Sequence, residues 1–211
     1  MRYLLENPVV ILRLLGQHLL MTFLALALAA LIALPLGVIA ARRPGLRGPL
    51  FTVLGLIYTI PSLALFVLLI PVMGLGLVPA ITALVAYAQV ILVRNVTVGL
   101  LGVDPAVLEA ARGMGMTDWQ RFRRVELPLA LPVILAGVRV AVLAIVGIGT
   151  IAAFINAGGL GVLLFTGVAQ SFPDKIIAGS IAASALALAA NALLRTLEHR
   201  ALVSARGEPS V

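Results

Sequence analysis

Long apolar runs separated by short polar breaks cover almost the whole chain. The first spans about 19–40 and carries no charged residue. A bilayer core needs roughly 20 apolar residues in a helix, and this run supplies them. Pro35 and Gly37 are expected to bend it, which transmembrane helices tolerate. Further runs follow at about 50–72, with Pro61 in the middle, and at about 79–100. The latter holds Gln89 and, towards its far end, Arg94 and Asn95. The last two runs are at about 132–154 and 176–194. The pattern predicts an all-α integral membrane protein with about five transmembrane helices.

The first 17 residues are less apolar. Asn7-Pro8 reads as a helix start, and Arg13 and Gln17 interrupt the apolar positions. The simplest reading is an N-terminal segment, 1–18, lying at the membrane interface. A cleaved signal peptide is the rival, because Arg2 precedes a long apolar run. Glu6 and the length of that run argue against it, so the segment is expected to be retained. The transmembrane domain then covers 19–200, and a tail covers 201–211. A sixth span made from residues 1–17 would upset this topology.

One polar island, residues 104–128, separates the third and fourth runs. It holds four of the eight acidic residues, four arginines and the only tryptophan. Asp104 followed by Pro105 is a helix start: the carboxylate accepts an orphan N–H, and proline fits the first position. Gly113 and Gly115 offer a stop. Thr117 and Gln120 have capping-box spacing, so a second helix begins there. Leu127-Pro128 is expected to end it. The island is therefore a helix, a glycine turn and a second short helix held between two spans. A plain solvated loop is the alternative. A DNA-reading helix pair is at odds with membrane segments on both sides.

Charge sets the orientation. The net charge is +7, yet the chain is 62% hydrophobic and only 11% charged. Its mean hydropathy is +1.18. Arg42, Arg43 and Arg47 follow the first run, the island has its four arginines, and Arg195, Arg200 and Arg206 follow the last. Two spans separate each neighbouring pair of these segments, so all three share one side. That side carries ten of the fifteen basic residues, which is the positive-inside pattern. The N-terminus is expected outside and the C-terminus in the cytoplasm, without any need for nucleic acid to explain the basic excess. Arg94 and Arg139 lie in or near spans; each is close enough to the cytoplasmic end to snorkel, the alternative being a functional buried charge.

Several chemistries find no residues here. There is no phosphate-binding G-x-x-x-x-G-K-[ST] segment, and the only lysine, Lys175, has no glycine before it. There are no cysteines, so neither disulfides nor thiolate metal sites are available. His18 and His199 fall on opposite faces under this topology and cannot share a metal. Acidic residues are nearly absent from the runs, which speaks against a proton-relay pump. The chain is not expected to be an enzyme, to bind a cofactor of its own or to hold a metal.

The island also carries a resemblance. Glu109-Ala110-Ala111, then Gly115, then Val125-x-Leu127-Pro128 resembles the EAA motif of ABC importer permeases, E-A-A-x3-G-x9-I-x-L-P. Every gap fits, and Val125 stands where isoleucine is usual. The resemblance implies a type I ABC importer permease fold in the inner membrane of a prokaryote. It implies that this cytoplasmic loop docks into a cleft on a separate ATPase, which binds ATP and magnesium. Glu109, Ala110 and Ala111 would lie on the docking helix, Gly115 would allow its tight turn, and Leu127 and Pro128 would lead back into the membrane. Two ATPase copies, a second permease copy or paralogue, and an external substrate-binding protein are the implied partners.

Three stretches are similar to one subgroup, the permeases for osmoprotectants such as glycine betaine, carnitine and choline. They are residues 58–71, 109–141 and 147–161. Other cargo, such as methionine, remains an alternative, as does a passive channel or membrane scaffold without an ATPase. Substrate choice in the subgroup rests largely with the binding protein's aromatic cage. This chain is only 5% aromatic and shows no clustered set. Candidate path residues are Tyr58, Pro61, Ser62, Tyr87, Gln89 and Asn95, with Asn156, Gly158 and Gly159 as an external gate. Ordinary helix packing would use the same residue types.

Overall fold

A computed structural model describes residues 2–205; Arg206 and most of the expected tail lie outside the described residues. Helix α1 is Arg2–Glu6, and α2 runs unbroken from Pro8 to Arg42, 35 residues. The boundary expected near residue 18 therefore falls inside one long helix. The reason is that Arg13 and Gln17 are good helix formers. A polar side chain there changes what the helix faces without interrupting it.

The second apolar run is not one straight span. Helix α3, Pro44–Thr59, and α4, Ser62–Met73, meet at an angle of 94°. The break falls at Pro61, and a proline disfavours the helical region for the residue before it. Ile60 accordingly sits at φ −65°, ψ 127°.

Helix α5, Leu77–Leu101, is the centre of the packing and touches α2, α3, α4 and α8. Small residues let α2 and α5 approach: Ala25, Ala29 and Ala33 of α2, and Ala80, Ala83 and Ala88 of α5, are completely buried. Two cross-helix bonds reinforce the seam. Gln89 Nε2 donates to the Ala29 carbonyl at 3.1 Å, and Thr97 Oγ1 shares its one proton between the Val93 carbonyl of its own helix at 2.7 Å and the Gly37 carbonyl of α2 at 3.2 Å.

Within the island, helix α6 is Pro105–Gly113 and α7 is Asp118–Arg121. Residues Phe122–Glu126 form a π-helical turn that runs directly into α8, Leu127–Ile151. Leu127-Pro128 therefore does not end a short helix, as the sequence suggested. Instead α7 is the first turn of the fourth span. Proline removes one donor and crowds the preceding turn. The wider π turn, in which the Leu127 N–H reaches the Phe122 carbonyl, absorbs that misfit without breaking the helix. A 3-10 turn, Ala152–Ile155, leads to short α9, Gly161–Ala169, and to α10, Pro173–Ala205.

Among the described residues, four helices are long and apolar enough to cross a membrane, and the bent α3–α4 pair makes a fifth pass if counted as one span. Arg42 meets the island at one end of the bundle through Glu126. At the other end the Gly76 N–H bonds the Ile155 carbonyl at 2.8 Å.

Helices α5 and α8 approach closely at Gly137, where a Cβ would collide with the Asn95 side chain. Gly137→Leu is expected to destabilise the bundle by about 1–3 kcal/mol through overpacking. Gly147→Leu, with nothing within 4 Å of its Cβ, should leave stability unchanged. Thermal unfolding in detergent distinguishes the two.

Candidate functional site

The island folds as its caps dictate. The Asp104 carboxylate accepts from the Ala106 N–H at 2.8 Å, which starts α6. The chain then turns at Gly115, whose φ of +78° is a left-handed conformation that favours glycine. Both halves of the capping box form: Thr117 N–H to Gln120 Oε1 at 2.9 Å, and Gln120 N–H to Thr117 Oγ1 at 3.3 Å. Glu109 and Ala110 are exposed, while Ala111 is buried against the rest of the island. Large apolar groups of the island are exposed as well, with Met114 at 70% exposure and Trp119 at 66%. Leu127 is half-buried and Pro128 exposed.

Beneath this surface lies an ion network. The Glu126 side chain, 5% exposed, receives Arg121 Nε at 3.0 Å and an Arg42 guanidinium nitrogen at 2.5 Å. Arg121 also pairs with Asp118 at 2.9 Å. The Arg42 guanidinium lies 6.0 Å from the Phe122 ring centroid, and Phe122 stacks on Trp119. The loop is thus tied to the end of α2 and the start of α8. None of these ionic partners was singled out from the sequence. Arg42 and Glu126 are 84 positions apart, and each reads locally as an ordinary charge near a span.

At the α3–α4 break, Tyr58, Pro61, Ser62 and Tyr87 come together. The Tyr58 and Tyr87 rings meet edge-to-face at 5.7 Å, and the Tyr87 hydroxyl donates to the Ile60 carbonyl. Gln89 and Asn95 are elsewhere. Gln89 bonds into the α2 seam, and Asn95 bonds its own helix at Ile91 while packing under Gly137.

Over residues 33–203 the chain matches the family described as the binding-protein-dependent transport system inner membrane component. The chain belongs to this family. It is 43% identical over 201 residues to the osmoprotectant import permease protein OsmW of Salmonella typhimurium, covering 93% of this chain and 94% of that one. It is 38% identical over 185 residues to the glycine betaine/carnitine/choline transport system permease protein OpuCB of Bacillus subtilis, covering 88% and 85%. Its structure is similar to the inward-facing MetNI methionine ABC transporter, with a TM-score of 0.74, 27% identity and coverage of 90% and 98%. An amino acid ABC transporter crystallised with histidines gives a TM-score of 0.74 over 93% and 96% of the chains at 21% identity, which shows the fold alone.

The fold is therefore that of a type I ABC importer permease. The external gate candidates of this permease form one loop. Asn156 is left-handed at φ 64°, as are Gly158 and Gly159 at 81° and 79°. The loop is pinned to α2 at Gln17, whose Oε1 accepts from the Gly159 N–H at 3.1 Å. His18 holds it as well: Nδ1 accepts from the Leu160 N–H at 3.3 Å. Nε2 must then carry the proton and donate to the Val146 carbonyl at 3.2 Å. Neither residue was a site candidate. Gln17 reads in the sequence as a polar interruption of an apolar run and His18 as a histidine too far from His199 to share a metal; only the packed loop gives them these partners. Arg94 lies over the Phe51 ring at 5.6 Å, and Arg139 pairs with Glu198 of α10 at 3.4 Å.

Removing Glu126 strands a buried arginine. Glu126→Ala is expected to cost the permease about 3 kcal/mol, at the low end of values for a broken buried pair, because Arg42 stays partly solvated. Arg42→Ala, with its side chain 44% exposed, should cost less than about 1 kcal/mol. Hydrogen exchange across residues 105–126 is the measurement: protection falls sharply in the first variant and little in the second.

Proposed function

We propose that this permease carries a small quaternary-ammonium osmoprotectant, of the glycine betaine, carnitine or choline type, into the cell. The observation that carries the reading is sequence identity of 38–43% over most of the chain to relatives named for that cargo. In this proposal a separate ATPase, loaded with ATP and magnesium, docks on helix α6 and its turn at Glu109, Ala110 and Gly115, with the buried Ala111 packing that helix onto the chain, and the permease itself binds no cofactor. A second permease copy or paralogue completes the path, a second ATPase copy docks on it, and an external binding protein delivers the cargo. Closure of the ATPases pushes α6, and the push reaches α8 and α2 through Glu126 and its two arginines. The path switches by rigid-body movement.

The proposed orientation places the N-terminus outside and the C-terminus in the cytoplasm. Its support is the concentration of arginines at the island's end of the bundle. Likeness to a methionine transporter favours a second reading, in which the same machinery carries an amino acid.

Uptake of labelled glycine betaine into proteoliposomes separates the two. The vesicles contain permease, ATPase and binding protein, with and without internal ATP. Expected is ATP-dependent uptake that yields to excess choline or carnitine and ignores methionine. Competition by methionine instead would discard the osmoprotectant cargo. Gly115→Asp tests the docking. Nothing within the chain lies within 4 Å of a Cβ there, and aspartate is among the residues that tolerate left-handed backbone. The variant strains the left-handed turn but clashes with nothing in the chain, so it should still insert and keep the bundle, which thermal unfolding in detergent checks. Its carboxylate would meet only the docked ATPase, so uptake should fall to background and co-purification with the ATPase should weaken.

A further inference from the structure

The break between α3 and α4 is chemically unlike the rest of the bundle. Tyr87, whose hydroxyl holds the Ile60 carbonyl, is ten residues into a 25-residue helix. At 1.5 Å per residue that is about 15 Å from the helix end, near the middle of a bilayer core about 30 Å thick. Here the chain leaves the helical conformation, and Pro61 has no N–H to offer. Among the described residues, no backbone N–H bonds the carbonyl of Tyr58 or Thr59. These are the last carbonyls of α3, where the helix dipole adds partial negative charge.

Tyr58, Thr59 and Pro61 are nevertheless exposed on the chain. Irregular backbone at membrane depth is tolerated where it is buried in protein or lines a water-filled cavity, not where it meets lipid. The exposed break therefore faces the second permease copy or the path between the two, rather than the acyl chains.

The seam between α3 and α5 repeats one pairing. Phe51 of α3 receives the guanidinium of Arg94 of α5 at 5.6 Å. Seven residues along each helix, Tyr58 meets Tyr87 at 5.7 Å, and among the described residues no cation lies over either ring. Tyr87 is pinned by its hydroxyl bond and only 4% exposed, so it braces Tyr58, a residue 45% exposed.

We propose that this break is a cation subsite within the path, taking a quaternary ammonium group on the Tyr58 ring beside the open carbonyls of Tyr58 and Thr59. The proposal rests on the osmoprotectant reading for its ligand class. A quaternary ammonium has no N–H to donate and is weakly hydrated, so a ring face and carbonyl dipoles suit it. A sodium ion would lose far more hydration than this site returns. Helices α3, α4 and α5 carry no acidic residue, so the subsite holds cargo weakly and lets it go.

The test uses the permease–ATPase complex in lipid nanodiscs, without binding protein, carrying 3-fluorotyrosine at position 58. Tetramethylammonium chloride is titrated while the fluorine resonance is followed. A saturable shift is expected, absent with sodium chloride and with 3,3-dimethyl-1-butanol, a neutral molecule of similar shape. In proteoliposomes, Tyr58→Leu should lower betaine uptake about tenfold, while Tyr58→Phe, which keeps the ring, should stay near wild type. Assembly of each variant is checked by co-purification with the ATPase. No saturable shift, an equal shift from the neutral molecule, or equal uptake by the leucine and phenylalanine variants overturns the subsite. If the resonance responds but wild-type vesicles take up no betaine, the cargo reading fails and the subsite stands.

Discussion

Inside hydrocarbon every backbone N–H and C=O must find its partner within the protein. That constraint makes the chain helical and makes each proline a decision. Pro35 and Pro132 sit inside helices that continue past them. Pro128 is absorbed by a π turn, which keeps α7 and α8 one continuous element. Pro61 is not absorbed, and the chain bends by 94° there. The two prolines with consequences thus lie at the two places where the permease departs from a simple bundle. One is where the polar island runs into the apolar bundle. The other is at mid-depth, where carbonyls stay open.

Packing among the spans follows from side-chain size. Alanines on α2 and α5 bring the two backbones close, and glycines at 37 and 137 accept Val96 and Asn95 from the facing helix. The polar residues of α5 are divided between faces by helical periodicity. Gln89 and Thr97 reach α2, Asn95 lies under α8, and Tyr87 and Arg94 meet the aromatic rings of α3. One helix therefore serves as glue on two sides and presents aromatic and cationic chemistry on a third.

The island works by contrast of burial. Its outer surface exposes Glu109, Met114 and Trp119, while Glu126 beneath is nearly sealed between two arginines. A buried carboxylate paired in this way resists being pulled from its partners, because a lone charge there is costly. The outer surface can then engage a partner while the inner one moves with α2 and α8 as a unit.

By itself the sequence determined what is local. Hydropathy marked the apolar runs, caps at Asp104 and Thr117 set the island's helix starts, and a positive φ at Gly115 followed from its glycine turn. The fixed spacing from Glu109 to Pro128 was enough to identify the family. Tertiary structure decided what depends on distant partners. Arg42 finds Glu126 across 84 positions, and Gln17 and His18 find the 156–160 loop across 142. It also decided two matters of continuity: that α2 runs on through Arg13 and Gln17, and that the helix survives Pro128. Periodicity and capping report the energy of a few neighbouring residues. Whether a polar residue ends a helix, lines a path or bonds a neighbour depends on what packs against it, and that is set by the whole bundle.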